Sequence, residues 1–259
     1  MTSRIALAVF AAAAGCSSYS SLGARSAATA ALGEPQPQSR PGLGTVWGET
    51  RVSRIHEVPF ERAGAEPFAQ ATLFYNDRAG VVAMASRDLP ELEPSSAPIP
   101  VRGGLVASVF DESERPLETV SWGGRLYVVG APGVRYSLRV HNQTARRYEV
   151  VASVDGLDVV DGESASFEKR GYVIEPFGTL TIDGFRQSRD LVAAFRFGAV
   201  GESYAARTGD GRNVGVIGLA FFDEQGAAPP PSDDDVDRRR TATPFSDARF
   251  AQPPSRSYY

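Results

Sequence analysis

The chain has 259 residues, enough for one or two domains, with a formal net charge of −4. Mild acidity removes the basic stripe that nucleic-acid binding needs. A single cysteine excludes an internal disulfide framework, and with only two histidines it leaves little material for a transition-metal site or a metal cofactor.

Residues 1–15 read as a short secretory leader: Arg4 is the positive head, Ile5 to Ala14 the apolar run, and small residues precede Cys16. A membrane-crossing helix needs about 20 apolar residues, and this run breaks at Cys16-Ser17-Ser18. The sole cysteine therefore stands where the apolar run ends. Ala13-Ala14-Gly15-Cys16 resembles the lipobox of bacterial lipoproteins. The resemblance implies cleavage before Cys16, lipidation of its thiol, and a membrane-anchored place in the bacterial cell envelope. By likeness to Gram-negative lipoproteins, Ser17 after the cysteine favours the outer membrane.

Residues 16–41 are rich in Ser, Ala, Gly and Pro and read as a flexible tether after the lipidated Cys16. The globular head is expected over 42–226. Its candidate strands begin at Gln70–Tyr75, Gly80–Ala85 and Leu105–Phe110, with the proline-rich stretch 90–100 as a linker or crossing loop. Leu126–Val129, Arg135–Val140 and Tyr148–Val154 follow, the second with strict polar–apolar alternation. Asp155-Gly156 and Asp161-Gly162 flank Leu157–Val160 and signal tight hairpin turns. Gly171–Glu175, Thr179–Ile182, Leu191–Phe197 and Val214–Phe222 complete the strands, and Ser203–Arg207 reads as one turn of helix. Short strands punctuated by Gly, Pro and Asp-Gly predict an all-β antiparallel sandwich, immunoglobulin-like or jelly-roll-like. Residues 227–259, with Asp233 to Asp235 and Arg238 to Arg240, read as a disordered tail.

Arg40–Thr45 with Gly48-Glu49, and the run from Val154–Val159 through Gly171–Ile174 and Ile182–Arg186 to Asn213–Gly218, resemble stretches of bacterial secreted proteins and lipoproteins that have no assigned function. That resemblance implies a shared fold and no chemistry.

No catalytic constellation emerges. Gly201-Glu202-Ser203-Tyr204-Ala205 departs from the nucleophile-elbow pattern at its last position and lacks the strand-to-helix setting. His56 and His141 are the available imidazole bases, and a hydrolase would need one of them beside Ser203 and an acid. Asp155, Asp158 and Asp161 repeat every three residues, which does not fit a calcium loop, whereas Asp before Gly suits hairpin turns. Trp122 is expected in the core, its alternative being an exposed platform for a sugar.

The long polar connection from Gly198 to Asn213 is the candidate binding loop, carrying Glu202, Tyr204, Arg207, Asp210 and Arg212. The expected function is a non-catalytic protein-binding or structural adaptor. The alternative is a glycan- or peptidoglycan-binding module in which Trp122, Tyr204 and Arg207 converge.

Overall fold

The computed structural model describes residues 40–85, 95–209, 211–227 and 233–242. The leader, Cys16 and tether, and Asp210 of the candidate loop, lie outside the described residues. Among the described residues, no helix is long and apolar enough to cross a membrane.

The strands are β1 (Leu43–Val52), β2 (Ala69–Asn76), β3 (Ile99–Val101), β4 (Leu105–Asp111), β5 (Thr119–Trp122), β6 (Arg125–Val129), β7 (Arg135–Asn142), β8 (Tyr148–Val154), β9 (Leu157–Asp158), β10 (Tyr172–Ile174), β11 (Thr179–Ile182), β12 (Gly184–Arg186), β13 (Leu191–Ala199) and β14 (Val216–Asp223). They form the expected sandwich of two sheets. One runs β1-β13-β7-β4-β3, with β11 beside β7 and β12 beside β13; the other runs β10-β8-β14-β2-β6-β5, with β9 beside β8. Pairing is antiparallel apart from β2 with β6, which is parallel. A parallel pair needs a long crossover, and here it contains β3 to β5 and a helix.

Alternation drives the two sheets together. Leu105, Ala107 and Val109 of β4, Leu138 and Val140 of β7, and Val150, Ala152 and Val154 of β8 turn inward at period two. They meet Leu73, Phe195, Phe197, Ile217, Leu219 and Phe221 in one core. At about 25 cal/mol per Å² of apolar surface removed from water, this burial is the dominant stabilising contribution.

Several local expectations are corrected. Gly80–Ala85 is not a strand but part of helix α1 (Arg78–Ala85). Asp77 Oδ1 accepts the Gly80 N–H at 2.6 Å and caps the first turn. Val81 and Ala85, four apart, then share a buried face against Val120 and Tyr127. The stretch 90–100 is not wholly connection, since β3 begins at Ile99. Pro100 is tolerated there because β3 is an edge strand.

Trp122 is 41% exposed rather than a core residue. It ends edge strand β5 beside the Gly123-Gly124 turn, both glycines at positive φ, where the hairpin tip offers no partner layer. In the tail, Asp233–Arg240 forms a helix, α3, with aspartates at its start and Arg238, Arg239 and Arg240 in its last turn. Those charges complement the helix dipole at both ends, a local stabilisation that apolar periodicity does not report.

Candidate functional site

Strand β1 builds one wall of the site. Gly44 lets β1 press against the following connection: a Cβ there would stand 2.7 Å from both Ser203 Cβ and Val214 Cγ1. Beyond it, the register with β13 slips between Trp47 and Thr50, so one extra residue bulges at Gly48-Glu49. Such bulges re-aim neighbouring side chains. Gly48 is required, because an added Cβ would lie 2.5 Å from the Ala194 carbonyl oxygen. Gly48→Ala is expected to cost about 1–3 kcal/mol, read as a lower denaturant midpoint at unchanged slope. An unchanged midpoint would show that the bulge absorbs the methyl group.

The bulge separates two jobs. Glu49 accepts Arg135 Nη1 at 2.9 Å and Arg196 Nη2 at 2.7 Å. The Arg196 guanidinium first, then Arg135, holds this carboxyl down at about 2 from an ordinary 4.5. Trp47 stays 43% exposed on the core-facing side of the strand. Its ring stacks on buried Phe185 at 6.2 Å and 7°, and meets Tyr204 at 4.8 Å.

The opposite wall is the candidate loop. A short 3-10 turn, Val200–Glu202, leads into helix α2 (Tyr204–Thr208). Ser203 caps it, donating its hydroxyl to Val200 O at 2.7 Å and accepting Ala206 N–H at 3.1 Å. Gly209, at φ 103°, ends it. Val46, Trp47, Glu202, Tyr204 and Arg207 thereby line one open pocket of about 260 Å³.

Glu202, Tyr204 and Arg207 of the candidate loop thus converge, while exposed Arg212 does not line the pocket. Trp122 is also absent from the lining, so the expected grouping of Trp122 with Tyr204 and Arg207 does not form; Trp47 supplies the indole instead. Among the described residues, Glu202 and Arg207 pair neither with each other nor with any other charged group. Other arginines do meet carboxylates, as at Arg62–Glu149, Arg146–Asp223 and Arg147–Glu224. A carboxylate and a guanidinium left unpaired beside an exposed indole suit a ligand with an apolar face and a hydrogen-bonding rim.

Strand β1 also enters a buried polar network that joins the sheets. Asp155 occupies a turn with φ 56°, followed by Gly156 at φ 82°, as the Asp-Gly signal required. Its carboxylate also accepts Thr45 N–H at 2.8 Å, Tyr75 O–H at 2.5 Å and Gly215 N–H at 2.9 Å. Thr45 Oγ1 lies 2.8 Å from Tyr75 Oη and 2.6 Å from Tyr136 Oη. Since the Tyr75 hydroxyl donates to Asp155, the chain of donors runs Tyr136 to Thr45 to Tyr75 to Asp155. Burial pushes the Asp155 carboxyl up from 3.8 to about 6 despite these donors. Burial likewise drives both phenols well above their ordinary value. Thr45 lies two residues before Trp47, so this network fixes the strand that presents the indole.

Asp158 and Asp161 serve the neighbouring turns. Asp158 Oδ1 accepts Val160 and Asp161 N–H, and Asp161 holds Lys169 Nζ at 2.7 Å. No group of three or more potential metal ligands occurs among the described residues. Ser203 is fully buried and bonded as a helix cap, His141 Nδ1 pairs with Thr179 Oγ1 at 3.0 Å, and His56 is exposed. Neither histidine hydrogen-bonds Ser203. Comparison with known protein families, with curated proteins and with solved structures finds no match for this chain.

Proposed function

We propose that the protein is a non-catalytic adaptor of the bacterial cell envelope, anchored by lipid on Cys16, with the outer membrane favoured. In this reading it binds an envelope protein at the pocket of Trp47, Glu202, Tyr204 and Arg207. The observation that carries it is the meeting in one pocket of an exposed indole with a carboxylate and a guanidinium that form no ion pair among the described residues. Trp, Tyr and Arg are the side chains that dominate binding energy at protein interfaces. The lipobox-like Ala13-Ala14-Gly15-Cys16 supports the anchor, and a flexible tether of about 25 residues would span on the order of 25–30 Å.

One observation favours a second reading, a glycan ligand. The exposed Trp47 ring offers an apolar platform to the C–H face of a sugar, with Glu202 and Arg207 placed to meet its hydroxyls.

Crosslinking with mass spectrometry on intact envelopes separates these readings. The wild-type chain should fractionate with membranes and give a recurrent protein crosslink; Cys16→Ala should lose membrane association. Retention of Cys16→Ala on membranes contradicts the anchor. Trp47-dependent co-sedimentation with purified peptidoglycan, with no protein crosslink, would favour the glycan over the protein partner.

A further inference from the structure

Among the described residues, strand β2 has no partner strand along half of one edge. Tyr75 N–H donates to Gly215 O at 2.9 Å on the β14 side, whereas Asn76 O accepts Gly130 N–H at 2.8 Å on the β6 side. Backbone groups of successive residues alternate between the two sides. Ala71 and Leu73 therefore face β14, and Gln70 and Thr72 face away from it. Pairing with β6 begins only at Leu73. Chain β5–β6 turns back at Gly123-Gly124, so no described strand pairs with Ala69 to Thr72 on that side.

Two concavities adjoin this edge, one on each face of the sheet. The outer groove, about 200 Å³, is lined by small residues including Thr72, Ser153 and Gly218, and by Phe167. The inner cleft, about 470 Å³, is bounded by edge strand β3 at Ile99 and Val101, by Arg102, and by Leu126. Both are lined by Gln70, Ala71 and Thr72. Arg102 is exposed and forms no ion pair among the described residues.

We infer that the β2 edge at Ala69–Thr72 accepts an extended segment of a partner polypeptide as an added strand. The N–H and C=O groups of Gln70 and Thr72, which meet no partner strand among the described residues, suit an extended backbone opposite them. Flanking pockets for alternate side chains are what strand addition uses for specificity. One side chain of the segment enters the small-residue groove beside Phe167, the next enters the cleft toward Val101 and Leu126, and a carboxylate on the segment pairs with Arg102. The edge is separate from the Trp47 pocket, so this inference stands or falls independently of the ligand proposed there.

The test is selection of displayed random short peptides on the full chain, followed by affinity and amide-exchange measurements. Selected peptides should share alternating apolar residues with an acidic position, and should slow exchange at the Gln70 and Thr72 amides. Thr72→Pro removes one outward N–H while leaving the Ala71 and Leu73 bonds to β14; it should weaken binding at least tenfold. Arg102→Glu, a change at an exposed side chain, should weaken it severalfold and decides the matter if Thr72→Pro fails to fold. The inference is overturned if no peptide is enriched, or if the selected peptides leave both amides unprotected. It is equally overturned if they bind Arg102→Glu and folded Thr72→Pro with unchanged affinity, or if the edge pairs instead with a second copy, seen as self-association that Thr72→Pro abolishes.

Discussion

Replacing Asp155 with alanine is expected to be the most destabilising single change outside the apolar core. It strands the N–H groups of Thr45 and Gly215 and the hydroxyl of Tyr75, three buried donors contributed by both sheets and the segment between them. Each buried donor left unpaired costs about 1–3 kcal/mol. A total near 4 kcal/mol would lower Tm by roughly 10 °C for a head of this size. Asp155→Asn tests the charge separately from the shape. Because burial raises the folded carboxyl to about 6, above the ordinary 3.8, the folded state holds this proton more tightly than the unfolded chain. The stabilisation from protonation is therefore complete below the unfolded value and is lost as pH rises through 6, by about 3 kcal/mol. The stability difference between wild type and Asp155→Asn should move in the asparagine variant's favour from pH 4 to pH 7. A difference that is flat across that window would contradict the buried, proton-holding carboxyl.

Trp47→Ala is expected to separate binding from folding. The ring is 43% exposed and contacts Phe185 and Tyr204 at the margin of the core, so its loss should cost stability only modestly, on the order of 1 kcal/mol. Binding should fall much further. Truncation of a central aromatic anchor costs 2 kcal/mol or more, which is roughly thirtyfold in affinity. Glu202→Gln and Arg207→Gln keep size and remove charge, and each should weaken binding less than Trp47→Ala. The check is quantitative pull-down of the envelope partner alongside thermal melts. Full partner recovery with Trp47→Ala would separate the pocket from the function.

The legible parts of this fold are those where local chemistry and long-range packing agree. Strand β7 alternates plainly, β8 is a β-branched apolar run, and Asp155-Gly156 closes the β8–β9 hairpin as its residue types demand. Strand β1 was harder to see because Leu-Gly-Thr-Val-Trp-Gly-Glu-Thr-Arg-Val contains two glycines and a bulge that interrupts its period. The mixed-sheet crossover and helix α1 depended on contacts that only the assembled sandwich supplies.

The site divides in the same way. Glu202, Tyr204 and Arg207 were visible as a polar connection between two apolar strands. Trp47 was not, since nothing local to β1 distinguishes an indole at the sandwich rim from one inside. Residue type alone places Trp122 inward, and the glycine turn beside it leaves it outside. Asp155 shows the limit most clearly. Its turn role follows from the next residue, but its partners Thr45, Tyr75 and Gly215 lie 110, 80 and 60 positions away in the chain. No periodicity links positions so far apart.

Photocrosslinking from position 47 in intact cells tests the central proposal most directly. A photoreactive aromatic residue placed there should give one dominant adduct with an envelope protein, lost when Glu202→Gln and Arg207→Gln are combined in the same chain. An absence of adducts, or adducts that the double variant leaves unchanged, would contradict a binding role for the Trp47 pocket.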